Sequence, residues 1–154
     1  FAADREHRLP ARVLQVVIDD MLQSNQRAAE IFLQAGVSAC TDVSGFGLLG
    51  HLREMLGGSG CAVELWPARL PAFPDALERL AAGDESSMAP ANQHYLSLLP
   101  AGSTATADPA VRLLLDPQTA GPLLAAAPPA RAEEILQKLH AAGYTRAALV
   151  GTVT

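Results

Sequence analysis

One short segment combines an acidic residue with two closely spaced glycines, a combination suited to binding phosphate and a metal ion. The run ACTDVSGFGLLGH occupies residues 39–51: a short apolar stretch ends at Asp42, and Gly45 and Gly47 precede an apolar stretch with helical spacing. This order predicts a strand, a tight turn and a helix. Such a turn can present backbone N–H groups to an anion at a helix N-terminus. A neighbouring aspartate can hold a magnesium ion that also binds the phosphates.

Each of these residues also has a purely structural interpretation. Asp42 could bind magnesium or could cap the turn or the following helix, and spacing alone favours the cap. Gly45 and Gly47 could face phosphate, or could serve only to adopt backbone conformations that other residues avoid, which is the commoner use of such pairs. The hydroxyls of Thr41 and Ser44 could contact a ligand, although bonds to the local backbone are more frequent for such groups.

A second segment, DPQTAGPLL at residues 116–124, follows an apolar run. An Asx-Pro pair typically begins a turn, so we expect the side chain of Asp116 to bond within its own turn. Pro122 fixes φ and has no N–H, so a ligand contact through that group is excluded. The four histidines are scattered along the chain, and we expect no zinc site.

Apolar periodicity and turn-forming residues predict an α+β fold in which helices pack on a mixed β-sheet. The predicted strands span residues 37–41, 61–66, 111–115, 123–127 and 147–153. The predicted helices span residues 10–23, 25–35, 48–56, 75–82, 92–99 and 128–140. Ser24 and Asn25 are N-cap residue types for the second helix, and Gly36 is a natural terminator for it.

Composition is that of a globular domain and excludes several classes of function. Of 154 residues, 49% are hydrophobic and 18% are charged, which favours a packed core over disorder. The net charge of -5 argues against nucleic-acid binding, which needs a basic face. No apolar run is long enough to predict a membrane span. The spacing of Cys40 and Cys61 fits neither a metal motif nor a disulfide framework, so we expect two buried, reduced thiols in a cytoplasmic protein.

The two segments resemble the signatures of a known family. TDVSGFGLLGH is similar to T-D-V-[TS]-G-F-G-L-x-G-H, and DPQTAGPLL to D-P-Q-T-S-G-G-L-L, in the C-terminal domain of selenophosphate synthetase (selenide, water dikinase). This family belongs to the aminoimidazole ribonucleotide synthetase-like superfamily. Weaker similarities at FAA, MLQSN and VGTV fall in family order, so the resemblance covers nearly the whole chain. The chain departs from the second signature at Ala120 and Pro122.

The resemblance implies an enzyme that makes selenophosphate, AMP and phosphate from ATP, selenide and water. It implies Asp42 as a magnesium ligand, with Thr41, Gly45 and Gly47 contributing to the ATP–magnesium cleft. It places the nucleophilic Cys or selenocysteine, a lysine and most magnesium-binding aspartates in an N-terminal domain, through which a homodimer forms. We therefore expect residues 1–154 to be one domain, the C-terminal part of a longer protein, and to be inactive alone.

Two functions of different classes remain open at this point. The chain could be the part of a phosphotransferase that closes over ATP and magnesium and supplies Asp42. It could instead be a non-catalytic binding or scaffold domain, for example within a fusion to a flavin- and nicotinamide-dependent oxidoreductase. The intact TDVSGFG run favours the first function, and the departure at Pro122 favours the second.

Overall fold

The computed structural model describes residues 2–100 and 108–154, which form helices and short strands of the predicted α+β class. The α-helices are α1 (Ala2–Arg5), α2 (Ala11–Leu22), α3 (Gln26–Ala35), α4 (Gly47–Leu56), α5 (Ala76–Ala81), α6 (Ala89–Asn92), α7 (Pro109–Leu115) and α8 (Ala132–Ala141). The strands are β1 (Ala39–Asp42), β2 (Val63–Leu65), β3 (Leu123–Ala126) and β4 (Gly151–Val153). Short 3-10 helices span Pro67–Arg69, Gln93–Leu98 and Pro129–Arg131.

The strands form two separate ladders, so the prediction of one mixed sheet is wrong for the described residues. β1 pairs antiparallel with β3, with Asp42 opposite Leu123, and β2 pairs antiparallel with β4. The expected sheet needed a strand at 111–115 and a long final strand. The first is a helix and the second is confined to Gly151–Val153, so neither can join the two ladders.

The segment 111–115 was expected to be a strand and is helix α7. The side chain of Asp108 accepts a hydrogen bond from the Ala110 N–H at 2.9 Å, and Pro109 occupies the first turn. A capping aspartate followed by proline is a helix-start signal. A short apolar run such as VRLLL does not distinguish strand from helix by periodicity, so that signal decides the structure.

The chain divides into two compact units. Of the described residues, the first unit contains 2–23, 43–53, 72–100 and 108–121, and the second contains 24–42, 54–71 and 122–154. The second unit includes both ladders, and its core is the packing of α3 on α8. The buried residues of this core are Ala28, Ile31, Phe32 and Ala35 from α3, and Ile135 and Leu139 from α8.

A side chain distant in the sequence forms hydrogen bonds with the backbone at the N-terminus of helix α3. The hydroxyl of Tyr144 donates to the Ser24 carbonyl at 2.7 Å and accepts from the Ala28 N–H at 3.0 Å. The Ser24 hydroxyl accepts from the Gln26 N–H at 3.2 Å, as an N-cap residue would. Asn25 occupies the N-cap position, as predicted, but its side chain makes no capping hydrogen bond. At the other end, Gly36 has φ +70 and terminates the helix as predicted.

Both cysteines are exposed, which corrects the expectation of buried thiols. Along β1, Ala39 and Thr41 are half-buried while Cys40 and Asp42 face outward, because alternate residues of a strand point to opposite sides. Partial burial still raises the pKa of the Cys40 thiol, which disfavours the reactive thiolate. Among the described helices, none has the length and apolar character needed to cross a bilayer.

Candidate functional site

Asp42 is the last residue of β1, and its carboxylate is exposed. Within the described part of the chain, no group donates a hydrogen bond to this carboxylate, so the capping interpretation is not supported. The neighbouring Thr41 is half-buried, and its hydroxyl donates to the Asp42 carbonyl oxygen at 3.1 Å. Both residues belong to the second unit, whereas Gly45 and Gly47 belong to the first.

The glycine turn is organised by Ser44. Its carbonyl oxygen accepts hydrogen bonds from the N–H groups of Gly47 and Gln118, each at 3.1 Å. Its hydroxyl lies 3.3 Å from Nε2 of His51, a buried residue on α4. Gln118 lies in the segment 116–124, called the second motif from here on, and Ser44 lies in the first motif, residues 39–51. The Ser44 carbonyl therefore closes the turn and also connects the two motifs.

Two glycines allow the motifs to approach closely within the first unit. Gly47 has φ +65, and a Cβ at this position would lie 2.7 Å from the carbonyl carbon of Leu115. A Cβ on Gly121 would overlap the carbonyl oxygen of Val43. Real side chains essentially never show such contacts, so glycine is required at both positions. Each glycine therefore has a packing role that is independent of any ligand.

Asn92 is a site residue that sequence reasoning missed. It is 3% exposed, and its Nδ2 donates to the carbonyl oxygens of Gly45 and Leu115, both at 3.0 Å. It lies at the junction of α6 with the following 3-10 helix, in a region with little periodic pattern. A lone asparagine between Ala91 and Gln93 carries no sequence signal for such a long-range contact.

An aromatic cluster packs beside the turn. The Phe46 ring lies 5.4 Å from the His51 ring and 6.4 Å from the Tyr95 ring, centroid to centroid. Gly50 allows this packing, because a Cβ there would lie 2.8 Å from the Tyr95 ring. His51 is therefore a packed residue of the first unit.

Asp116 begins the second motif and bonds within its own turn, as predicted. The Gln118 amide donates to its Oδ2 at 2.8 Å and to its carbonyl oxygen at 3.1 Å. Burial raises the pKa of Asp116, and the bond from Gln118 partly opposes that rise. Asp116 also lines a cavity of about 130 Å³ with Glu85 and Arg112, whose side chains form an ion pair at 3.1 Å. Pockets for drug-sized ligands measure roughly 300–1,000 Å³, so this cavity is too small for ATP.

The two departures from the family signature lie on either side of Gly121. Ala120 has φ +52, a conformation that costs a non-glycine residue roughly 1–2 kcal/mol. Pro122 is exposed and directly precedes β3, a position where the missing N–H breaks no ladder bond. This placement favours the structural interpretation of Pro122.

Replacing Pro122 by glycine is expected to lower the free energy of unfolding by about 0.4–1 kcal/mol, because the unfolded chain gains conformational freedom. Nucleotide affinity of the full-length protein is expected to stay unchanged. The check is a paired measurement of thermal unfolding and nucleotide titration on both proteins. Tighter ATP binding with no loss of stability would show instead that this loop faces the ligand.

The residues of this chain fit one part of a magnesium site. Magnesium usually takes one or two carboxylates together with phosphate oxygens and water. The exposed carboxylate of Asp42 meets that requirement for one ligand. In residues 2–100 and 108–154, no three His, Cys, Asp or Glu side chains come close enough to hold a metal ion. Asp42 thus fits as one ligand in a set completed by other groups.

The sequence of this chain is similar to those of known proteins. The chain matches the family described as AIR synthase related protein, C-terminal domain, over residues 4–154. A selenide, water dikinase of Pelobacter propionicus is 40% identical over 137 residues, which cover 89% of this chain and 39% of that protein. One from Carboxydothermus hydrogenoformans is 38% identical over 150 residues, covering 95% of this chain and 42% of that protein. The chain spans 39–42% of the length of these two relatives.

Proposed function

Because this chain belongs to the family of AIR synthase related C-terminal domains, we propose that it is the C-terminal domain of a selenide, water dikinase. Such an enzyme makes selenophosphate from ATP, selenide and water. The observation that carries the proposal is the exposed carboxylate of Asp42 at the end of β1, which has no capping partner among the described residues. Asp42 is the second residue of the run TDVSGFGLLGH, the segment most similar to the family signature.

In this proposal Asp42 is a magnesium ligand. A bound magnesium ion would neutralise phosphate charge on ATP. The exposed strand end leaves the carboxylate oxygens accessible, and a carboxylate is a ligand type that a hard cation prefers. The chain supplies one such group, so further ligands come from the nucleotide, from water and from the rest of the full-length protein.

Thr41, Gly45 and Gly47 complete the proposed nucleotide-binding contribution. The glycine turn precedes α4, and the N-terminus of a helix of this length favours anions through its backbone N–H groups. Thr41 is adjacent to Asp42 in the chain, and its hydroxyl is held by a backbone bond. The proposed role of these three residues is to border the phosphates, without taking part in a covalent step.

The proposed partners follow from the length of the relatives. The chain spans less than half of the two relatives compared above, so the nucleophile, the lysine and the remaining magnesium ligands are proposed to belong to an N-terminal domain. ATP and selenide are the proposed substrates of the full-length protein, and a homodimer through the N-terminal domain is its proposed assembly. Its proposed location is the cytoplasm.

One observation supports the alternative of a non-catalytic binding or scaffold domain. Ala120 and Pro122 replace the serine and glycine of the family signature, and Ala120 adopts a strained left-handed conformation. A domain that keeps the fold and loses the chemistry would tolerate such changes. A fusion to a flavin- and nicotinamide-dependent oxidoreductase is one setting for a domain of this kind.

The test compares the full-length protein with the 154-residue chain. The full-length protein is expected to form AMP and selenophosphate from ATP and selenide, followed by phosphorus NMR. The 154-residue chain is expected to form neither, since one carboxylate cannot replace the positioning of nucleophile and phosphates. AMP formation by the 154-residue chain would contradict this division of roles. Nucleotide binding by the full-length protein without AMP formation would support the scaffold alternative.

A further inference from the structure

A buried amide joins the glycine turn to the residue that directly precedes the second motif, and we propose that Asn92 is a positioning residue for nucleotide use. Its Nδ2 donates to the carbonyl oxygens of Gly45 and Leu115, each at 3.0 Å. Gly45 belongs to the glycine turn, and Leu115 is the last residue of α7, directly before Asp116. The inference rests on the proposed function, because it assigns Asn92 to the turn that we place beside the phosphates.

The chemistry of asparagine suits this position. Its amide carries two N–H groups, so one side chain can donate to two different carbonyls. Asn92 is almost fully enclosed and its bond to Leu115 is buried, so water cannot readily replace the donor. Alanine would remove both bonds. Aspartate has nearly the same shape, but its ionised carboxylate cannot donate and would face two carbonyl oxygens.

The contacts around Asn92 show what it positions. The Ser44 carbonyl accepts from the N–H groups of Gly47 and Gln118, and Gly47 lies directly against Leu115. Asn92 adds a further connection between the glycine turn and the end of α7, because it bonds the carbonyl oxygens of Gly45 and Leu115. Without the bonds from Asn92, the turn keeps its hydrogen bonds to the Ser44 carbonyl, but its position relative to α7 is less well fixed. Positioned groups lose much of their effect when they shift by about an ångström.

The first test measures amide hydrogen exchange in the 154-residue chain and needs no enzymatic activity. In Asn92→Ala and Asn92→Asp, exchange of the Gly47 and Gln118 amides is expected to become about tenfold faster, because the turn opens more often. Amides of α8, in the other unit, are expected to keep their rates. If Asn92→Ala does not fold, Asn92→Ser, which keeps one hydroxyl donor, provides the same comparison.

A control variant separates positioning from general loss of stability. Val13 is a buried residue of α2 in the same unit. Val13→Ala is expected to lower the unfolding temperature without selectively accelerating the Gly47 and Gln118 amides. Equal exchange at these two amides in wild-type and both Asn92 variants would overturn the proposal.

The second test measures steady-state kinetics of the full-length protein, well below the unfolding temperature of every variant. Asn92→Ala is expected to raise the KM for magnesium–ATP about tenfold, while Val13→Ala leaves it unchanged. An unchanged KM in Asn92→Ala, with only a lower unfolding temperature, would mean a merely structural role and overturn the proposal. A wild-type protein that does not consume ATP would contradict the proposed function instead, and the exchange measurement would still decide the role of Asn92.

Discussion

Asp42→Asn in the full-length protein is expected to lower kcat/KM for magnesium–ATP by about 100-fold, the size of loss typical when one electrostatic contact to the reacting phosphates is removed. Asparagine keeps one side-chain oxygen and nearly the same shape, but it loses the charge that a hard cation requires. The fold should not change, because Asp42 is exposed and surface substitutions usually alter stability by less than about 0.5 kcal/mol. The measurement is initial rate against magnesium concentration, with thermal unfolding in parallel.

Glu64→Gln is the matched control for Asp42. Glu64 is also an exposed carboxylate on a strand of the second unit, opposite Thr152 in the β2–β4 ladder. Its neutralisation changes the net charge by the same amount and is expected to leave magnesium dependence unaltered. If Asp42→Asn retains wild-type rates at limiting magnesium, Asp42 is not a ligand.

Gly47→Ala is expected to lower the free energy of unfolding by about 3 kcal/mol. One part is backbone strain at φ +65, which costs an L-residue roughly 1–2 kcal/mol. The other part is overlap of the new methyl group with the Leu115 carbonyl, whose oxygen would lie 2.8 Å away, and overpacking typically costs about 1–3 kcal/mol. Urea unfolding of the 154-residue chain measures the sum.

Gly58→Ala is the control for this prediction, because the difference between the two variants gives the steric part of the loss. Gly58 has φ +75, close to the value at Gly47, but a Cβ there would meet no atom within 4 Å. It should therefore show the backbone strain alone. Equal losses for the two variants would mean that the backbone relaxes at Gly47 and that the close approach to Leu115 is not required.

The parts of the fold that could be predicted are those whose signal is local. Helices α3 and α8 have apolar residues at helical spacing, and Gly36 marks the end of α3 through its need for a left-handed conformation. The position of Asp42 at a strand end also followed from a short apolar run that stops at a charge. Each of these inferences used residues within one turn or one strand of each other.

The parts that could not be predicted depend on partners distant in sequence. Asn92 bonds the backbone carbonyls of Gly45 and Leu115, and every residue except proline offers the same backbone groups, so no pattern identifies them. The sequence predicted Gly45 and Gly47 as turn residues, but it did not predict the close approach of Gly47 to Leu115. The helix at 109–115 was missed because its capping residue outweighs an apolar run with no clear period.

The hydroxyl of Tyr144 has a consequence for how the chain acquires its structure during synthesis. It closes α3 from 116 residues further along, and β1 and β2 likewise find their partners only in the segment after residue 121. A ribosome adds roughly 5–20 residues per second, so several seconds pass between the synthesis of α3, β1 and β2 and the synthesis of the residues that pair with them. During that interval the apolar face of α3 has no α8 to cover it. The second unit is therefore expected to fold after translation of its last segment, and to be the part of this chain that most needs protection from aggregation until then.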